Sequence, residues 1–485
     1  MSNLFEFKKI HDPVHKTIGI SKLELKIIDT KAFQRLRNIK QLSLIGYVFP
    51  GADYTRFSHS IGVCFLAGKV YDAIYKTQVN KTKKQQKEYD EKKQKIRLAG
   101  LLHDIGHYPF SHVMEDGIDL YLKKSQQTMW GLVSVDDSRD PGTNVMSRPL
   151  DHENIGSKIL EKDPEIKALL DEAGFDPIEI SNLFIRKGES TSELTNLISS
   201  DLDVDRLDYL LRDSYYVGLP YGHTDLEYIL RELTFDEDNK PCISPKALRT
   251  VDHFLLCRYF NYSQIIFHKS VAGFEEVLKR VISHLIEKNL IKYSEADILD
   301  KITDGTWYTY DDIYLMTLIR TQFDNIDGEY KPLFNSILRR IPPKEIVKLE
   351  YIDGTTQKKF NQFCEKVTDL NALIDQIADK FELNKNYIFV WNNGGLKLTK
   401  IGRMTELSEI NKKVKENIDQ SVRILDRLTR KSEPIMQRDD SLMSILSDKA
   451  LYSVRLYVLD SSLDETKIKA IREFIQKEMK HRDWK

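Results

Sequence analysis

The stretch LAGLLHDIGHYPFSH, from Leu98 to His112, constrains the fold more than any other part of the chain. Its first half repeats apolar residues at helical spacing, through Leu98, Leu101 and Leu102, and so requires a core to pack against. It then places His103, Asp104, His107 and His112 at the end of that apolar helix. Imidazoles and carboxylates withdrawn from water need hydrogen-bond partners or a cation. Helical spacing sets His103 beside Asp104 with His107 one turn on, before Pro109 prevents simple continuation. Donors so close together can share one first-row transition metal and leave positions for water and a phosphate oxygen. The alternative is a set of buried histidines, each satisfied by a hydrogen bond.

Two other segments offer matching donors. In YTRFSHSIGVCFLAG, Arg56 and His59 lie three apart on one helical face. In SSDLDVDRLDYLLRD, Asp205, Tyr209 and Asp213 recur every four residues with Arg206 beside them, while Val204, Leu207 and Leu211 point away. That polar stripe is either part of a site or a solvated face carrying Asp–Arg pairs.

At 485 residues the chain exceeds one ordinary hydrophobic core, so a large domain with a smaller lobe is expected. Helical periodicity dominates from Ile18 to Tyr75 and returns in HENIGSKIL, in LTNLISSDLDVDRLDYLLRDSYY and in HFLLCRYFNYSQIIFHKSVAGFEEVLKRVISHLI. The lysine-rich KTQVNKTKKQQKEYDEKKQK reads as a solvated excursion or the outer end of a long helix, and Lys123 to Pro149 as a long loop. KNYIFVWNN and YSVRLYVLD are strand-like and DETKIKAIREFIQKEMK is an amphipathic helix. The expected fold is mainly α: a helical core over 1–300 with insertions near 76–95 and 123–149, then a helical and α+β lobe over 301–485.

In this order, His59, His103 with Asp104, and Asp205 resemble the HD-domain phosphohydrolase superfamily. DPVHKTIGISKLELKIIDTKAFQRLRNIKQLSLIGYVFPGADYTRFSHSIGVCFLAG, LLHDIGHYPFSH and DVDRLDYLLRD are similar to its deoxynucleoside triphosphate triphosphohydrolase branch, which includes the animal SAM-and-HD-domain enzyme and bacterial single-chain relatives. The similarity runs over most of residues 8 to 290. It implies that His59, His103, Asp104 and Asp205 hold iron, manganese or a similar ion, with magnesium at the triphosphate. It further implies release of deoxynucleoside and intact triphosphate, with His112 as general acid and His107, His152 and Glu153 orienting water. Glu115 stands where relatives with a His/Asp dyad carry Asp. Arg56, Arg206 and Arg258 match phosphate contacts; Gln41 and Asp213 match contacts to the sugar 3′ hydroxyl; Leu42 and Tyr209 crowd the place of a ribose 2′ hydroxyl. Lys8, Asp29 and Arg37 match positions that read an activating guanine nucleotide such as GTP, and His268 and Lys269 a neighbouring deoxynucleotide. A homotetramer is expected from the same resemblance, with a role in deoxynucleotide supply or antiviral defence.

The net charge of -1 recruits neither nucleic acid nor anionic membrane, and aromatics are nearly absent from the lysine-rich stretch, so a nuclease is a secondary reading. Another nucleotide, an alarmone or a cyclic one, remains the alternative substrate within the superfamily. Cys64, Cys242, Cys257 and Cys364 are scattered without metal spacing, and no run of eighteen apolar residues occurs, which together fit a cytoplasmic protein.

Overall fold

The computed structural model describes residues 4–75, 82–130, 150–185, 202–326, 328–397 and 421–479. Lys8–Asp12 and Lys16–Ile20 pair as an antiparallel hairpin, in register from Lys8 with Ile20 to Asp12 with Lys16. The helical periodicity expected from Ile18 on overlaps only the end of this hairpin, whose strands KKIHD and KTIGI carry few apolar residues to mark an alternating face. Helix Lys22–Ile28 follows, opened by a capping box between Ser21 and Glu24. The expected helix FQRLRNIKQL is instead a turn of α-helix, Lys31–Gln34, running into a 3-10 turn, Arg35–Asn38.

Helix Arg56–Tyr75 is the central element. Twelve apolar or small residues, one imidazole and the Arg56 guanidinium put almost every turn out of solvent, so it is buried all round rather than amphipathic. Helix Lys83–Leu102 packs along it, its lysine-rich first half exposed and its second half in the core; from Lys83 on, the lysine-rich segment is the outer end of a long helix, and residues 76–81 lie outside the described residues. A buried ion pair ties this helix to the N-terminal segment. Arg97 Nε and Nη2 donate to the two oxygens of Glu24 at 2.7 Å each, and Gln94 donates to the same carboxylate. Lys123 begins no loop: helix His112–Trp130 continues through it, and the rest of that expected loop lies outside the described residues.

Helix Val204–Val217 then crosses Arg56–Tyr75, with Asp203 capping its first turn and Gly218 ending it in the left-handed region at φ 75°. Helices Leu248–Asn261 and Lys269–Glu287 are separated by a π-helical turn, Tyr262–Ile266. Helix Asp312–Gln322 sits against the turn after Leu102 through hydrogen bonds described below.

The C-terminal lobe is a four-stranded sheet in which Lys449–Val458 lies between Lys344–Gly354 and Ile388–Asn392, with Leu396–Lys397 beside it. Helices Gln357–Ala372, Ile374–Phe381 and Glu465–Glu478 cover one face and enclose a second core around Leu370, Ile377, Val454 and Ile471. The fold is mainly helical, with small sheets and a C-terminal sheet backed by helices, as the sequence leads one to expect.

Candidate metal and catalytic site

His59 is fully buried in the first turn of helix Arg56–Tyr75, and His103 caps the C-terminus of Lys83–Leu102. The helix stops at Leu102, so His103 to Gly106 form a turn rather than a continuing helix. Asp205 stands in the first turn of Val204–Val217. His59, His103 and Asp205 each present a donor atom within 4.8 Å of the others. His59 Nε2 is 3.0 Å and His103 Nε2 3.8 Å from Asp205 Oδ1. Asp104 adjoins them, with Oδ1 3.3 Å from His103 Nε2 and Oδ2 3.7 Å from His59 Nε2.

Hydrogen bonds fix the tautomers. His59 Nδ1 lies 2.7 Å from Asp208 Oδ2, and His103 Nδ1 2.8 Å from the Gly100 carbonyl oxygen. In the neutral rings each Nδ1 therefore carries the proton and each Nε2 the lone pair. Both Nε2 atoms are buried and make no hydrogen bond of acceptable geometry among the described residues. Burial by itself would lower the His59 imidazole, but Asp205, Asp208 and Asp104 overcome it and push it up to about 10, so that without a cation Nε2 holds a second proton in the place a divalent ion would take. Two aimed lone pairs facing two carboxylates fit a divalent cation taking nitrogen and oxygen donors.

Asp208, which the sequence reading passed over, organises this arrangement. Its carboxylate also meets His15 Nε2 at 2.6 Å and Arg212 Nε and Nη2 at 2.8 Å each. Arg212 Nη1 reaches Asp12 Oδ2 at 2.8 Å, so the hairpin turn is bolted to the same network. Burial works against the Asp208 carboxylate, yet Arg212 and these donors hold it well below its usual range. Asp208 and Arg212 are charged residues on the buried side of an amphipathic helix, and that break in pattern is the signal that could have found them. Gly62 makes the approach possible: a Cβ there would sit 1.9 Å from Asp208 Oδ1.

A second cluster adjoins the first. His107 Nε2 is 3.1 Å from Asp104 Oδ1, and its ring stacks on His152 at 3.9 Å between centroids. Gly106 admits this stack, since a Cβ there would lie 2.1 Å from the His152 carbonyl oxygen. His107 Nδ1 is buried without a partner among the described residues. Burial, with Arg56 and His152 adding to it, holds the His107 imidazole well below its ordinary value. Glu115 Oε2 is 3.0 Å from His112 Nδ1 and Oε1 3.5 Å from His152 Nδ1. The longer carboxylate thus keeps a His112–Glu115 pair. His112 is exposed, and although neighbouring groups partly desolvate its ring, Glu115 outweighs that and raises the imidazole.

These residues surround a cleft of about 240 Å³, also lined by Gln41, Leu42, Arg56, Glu153, Tyr209 and Asp213. Phe184, Asp203, Asn261, Tyr262 and Ile266 complete the lining and were not foreseen. Gln41 Oε1 is buried without a partner. Tyr54 and Asn261 donate to the two oxygens of Asp213, and burial pushes that carboxyl up to about 6. Arg56 is turned onto Asp104 Oδ2 at 2.5 Å and Ser111 Oγ at 2.9 Å. Arg206 pairs with Asp203 at 3.1 Å at the head of its own helix, and Arg258 packs over the Tyr262 ring at 5.4 Å. Of the three arginines expected at phosphates, Arg56 lines the cleft.

The residues matched to an activating nucleotide lie on separate elements. Lys8, Asp29, Arg37 and Lys269 are exposed and His268 half-buried. Asp29 ends helix Lys22–Ile28, while Thr30 caps the next helix. Arg37 lies 3.5 Å over the Phe57 ring, and His268 caps Lys269–Glu287.

Residues 56–213 match the HD domain. A Methanocaldococcus jannaschii protein is 33% identical over 353 residues, 71% of this chain and 65% of that one. The human deoxynucleoside triphosphate triphosphohydrolase SAMHD1 is 36% identical over 245 residues, 48% of this chain and 37% of that enzyme. The alignment with a Bacillus subtilis protein, 33% identical, spans 56% of its length, so this chain covers less than two thirds of such relatives. In fold, a phosphohydrolase from Bacteroides thetaiotaomicron superposes with a TM-score of 0.65 at 23% identity, covering 93% of this chain and 99% of that one. Residues 56–213 thus carry an HD domain whose His and Asp donors the structure gathers in one place.

Proposed function

We propose that the protein hydrolyses deoxynucleoside triphosphates to deoxynucleoside and inorganic triphosphate, with a divalent metal at His59, His103, Asp104 and Asp205. The observation that carries the metal assignment is the pair of buried, unpartnered Nε2 atoms on His59 and His103 facing the Asp205 and Asp104 carboxylates. Similarity to triphosphohydrolases from human and from Dictyostelium discoideum, at 36% and 30% identity, supports the substrate class.

When bound, a divalent iron, manganese or similar ion supplies a Lewis acid for a phosphoryl oxygen and for the attacking water. The chain's own residues do the rest. His107, with its Nε2 proton on Asp104, has a buried Nδ1 lone pair to accept a hydrogen bond from water. His152 and Glu153 border the same space. His112, whose protonated form Glu115 favours, donates to the leaving 5′ oxygen as attack at the α-phosphorus breaks the P–O bond. Gln41 Oε1 and the Asp213 carboxyl offer polar contacts to a sugar 3′ hydroxyl. Leu42 and Tyr209 give a 2′ hydroxyl no partner, which disfavours ribose. Arg56 contributes positive charge beside the phosphates, together with magnesium carried by the triphosphate.

Regulation follows the same resemblance: a guanine nucleotide or dNTP at Lys8, Asp29 and Arg37, next to one at His268 and Lys269, activates a homotetramer. The test is incubation of the purified protein with each dNTP and NTP, singly and in pairs, with manganese or magnesium. Triphosphate and deoxynucleoside are the expected products. Pyrophosphate or diphosphate, or cleavage of an alarmone or cyclic nucleotide in place of dNTPs, would replace this function by the alternative.

A further inference from the structure

The turn from Ile105 to Ser111 carries His107 and leads directly into His112, yet it has no regular secondary structure to hold it. Phe110 and Ser111 both adopt φ 54°, a region that non-glycine residues rarely enter and keep only where the surroundings fix them. Two buried side chains from outside residues 56–213 do the fixing. Asp312 Oδ1 accepts the Phe110 backbone N–H at 2.7 Å, while its Oδ2 accepts the Lys40 N–H at 3.0 Å. Lys40 immediately precedes Gln41 and Leu42 of the opposite cleft wall. Arg35 approaches from another side. Its Nη2 donates to the His107 carbonyl at 2.5 Å, its Nη1 to that of Ile105 at 3.4 Å and its Nε to that of Tyr310 at 2.7 Å. The guanidinium stacks on Trp307 at 4.3 Å.

Neither side chain lines the cleft. We infer that Arg35 and Asp312 are positioning residues for the hydrolysis, holding His107 on Asp104 and His112 at the cleft from outside the HD domain. A charged fork with three carbonyl acceptors and a carboxylate with two amide donors fix a backbone more tightly than neutral pairs do. An active site needs its groups held to about 0.5 Å, and a strained turn left to itself would not achieve that. The inference rests on the cleft being the hydrolytic site but not on which nucleotide it cleaves.

Asp312→Asn preserves volume but turns an amide NH2 toward one of the two backbone N–H groups. Arg35→Lys keeps the charge and loses the fork. In both variants, hydrogen exchange followed by mass spectrometry is expected to be at least tenfold faster over 104–112. Exchange in helix Arg56–Tyr75 and the bound metal are expected to stay as in the wild type. On whichever nucleotide the wild type cleaves, kcat is expected to fall at least tenfold while KM changes less than threefold. Unchanged exchange, or wild-type kcat in a variant whose turn exchanges faster, would overturn the inference. Faster exchange throughout the molecule with loss of metal in both variants would also overturn it, by reducing the two residues to general stabilisers. If the wild type cleaves no nucleotide, the proposed function fails separately, and the exchange data alone decide whether the two side chains hold the turn.

Discussion

Asp208 shows how much of the site depends on a residue that touches no substrate. Its carboxylate takes one imidazole from the hairpin, one from the central helix and both ends of a guanidinium, so the His59 ring has a single orientation and tautomer. Asp208→Asn is expected to weaken manganese binding by about 10–100-fold, the usual cost of losing such an outer partner, as read by equilibrium dialysis. Unaltered affinity would mean that His59 is positioned by packing alone. At His112 the sign of the pH effect can be worked out. The general acid must be protonated to act, partial desolvation lowers its affinity for the proton, and Glu115 more than restores it. Glu115→Gln removes the restoring charge, so the alkaline limb of the kcat/KM profile is expected to move to lower pH. A profile that does not move would separate Glu115 from the proton transfer.

At the level of elements, helix crossings set the distances. Helices Arg56–Tyr75 and Val204–Val217 meet where Gly62 leaves room for Asp208 and Arg212. Alanine normally favours a helix interior over glycine by about 1 kcal/mol. Here Gly62→Ala is expected to lower metal content measured by elemental analysis, because the Cβ displaces the Asp208 carboxylate. The Glu24–Arg97 pair joins Lys22–Ile28 to Lys83–Leu102 in the core. Glu24→Ala leaves a buried guanidinium without its anion and is expected to cost about 3–5 kcal/mol of stability in denaturant unfolding. Long periodic elements such as Arg56–Tyr75, Val204–Val217 and Glu465–Glu478 were legible because apolar spacing over several turns has one solution. The hairpin at Lys8–Ile20 and the break after Gln34 were not. Each is short, and Arg35 leaves the expected helix to satisfy carbonyls that come from distant segments.

Across the whole molecule, the donors expected to bind metal were readable as residue types at telling spacings, and the structure brings His59, His103 and Asp205 together with Asp104 adjoining. What escaped was every partner defined by tertiary approach. Asp312 lies 272 residues from Lys40, and Asp208 lies 193 from His15, separations over which no local pattern carries information. Arg56 matches a phosphate contact by resemblance, and its carboxylate partner Asp104, 48 residues along the chain, appears only in three dimensions. At this scale too belongs regulation. Asp29→Ala, at an exposed position away from the cleft, is expected to abolish stimulation by a second nucleotide while leaving metal content intact. Stimulation that persists would remove Asp29 from any activator site. The central claim, water attacking the α-phosphorus of a deoxynucleoside triphosphate, is tested most directly by running the reaction in oxygen-18 water and weighing the products. One heavy oxygen in the inorganic triphosphate and none in the deoxynucleoside is the predicted result; label in the deoxynucleoside, or monophosphate and pyrophosphate as products, would contradict it.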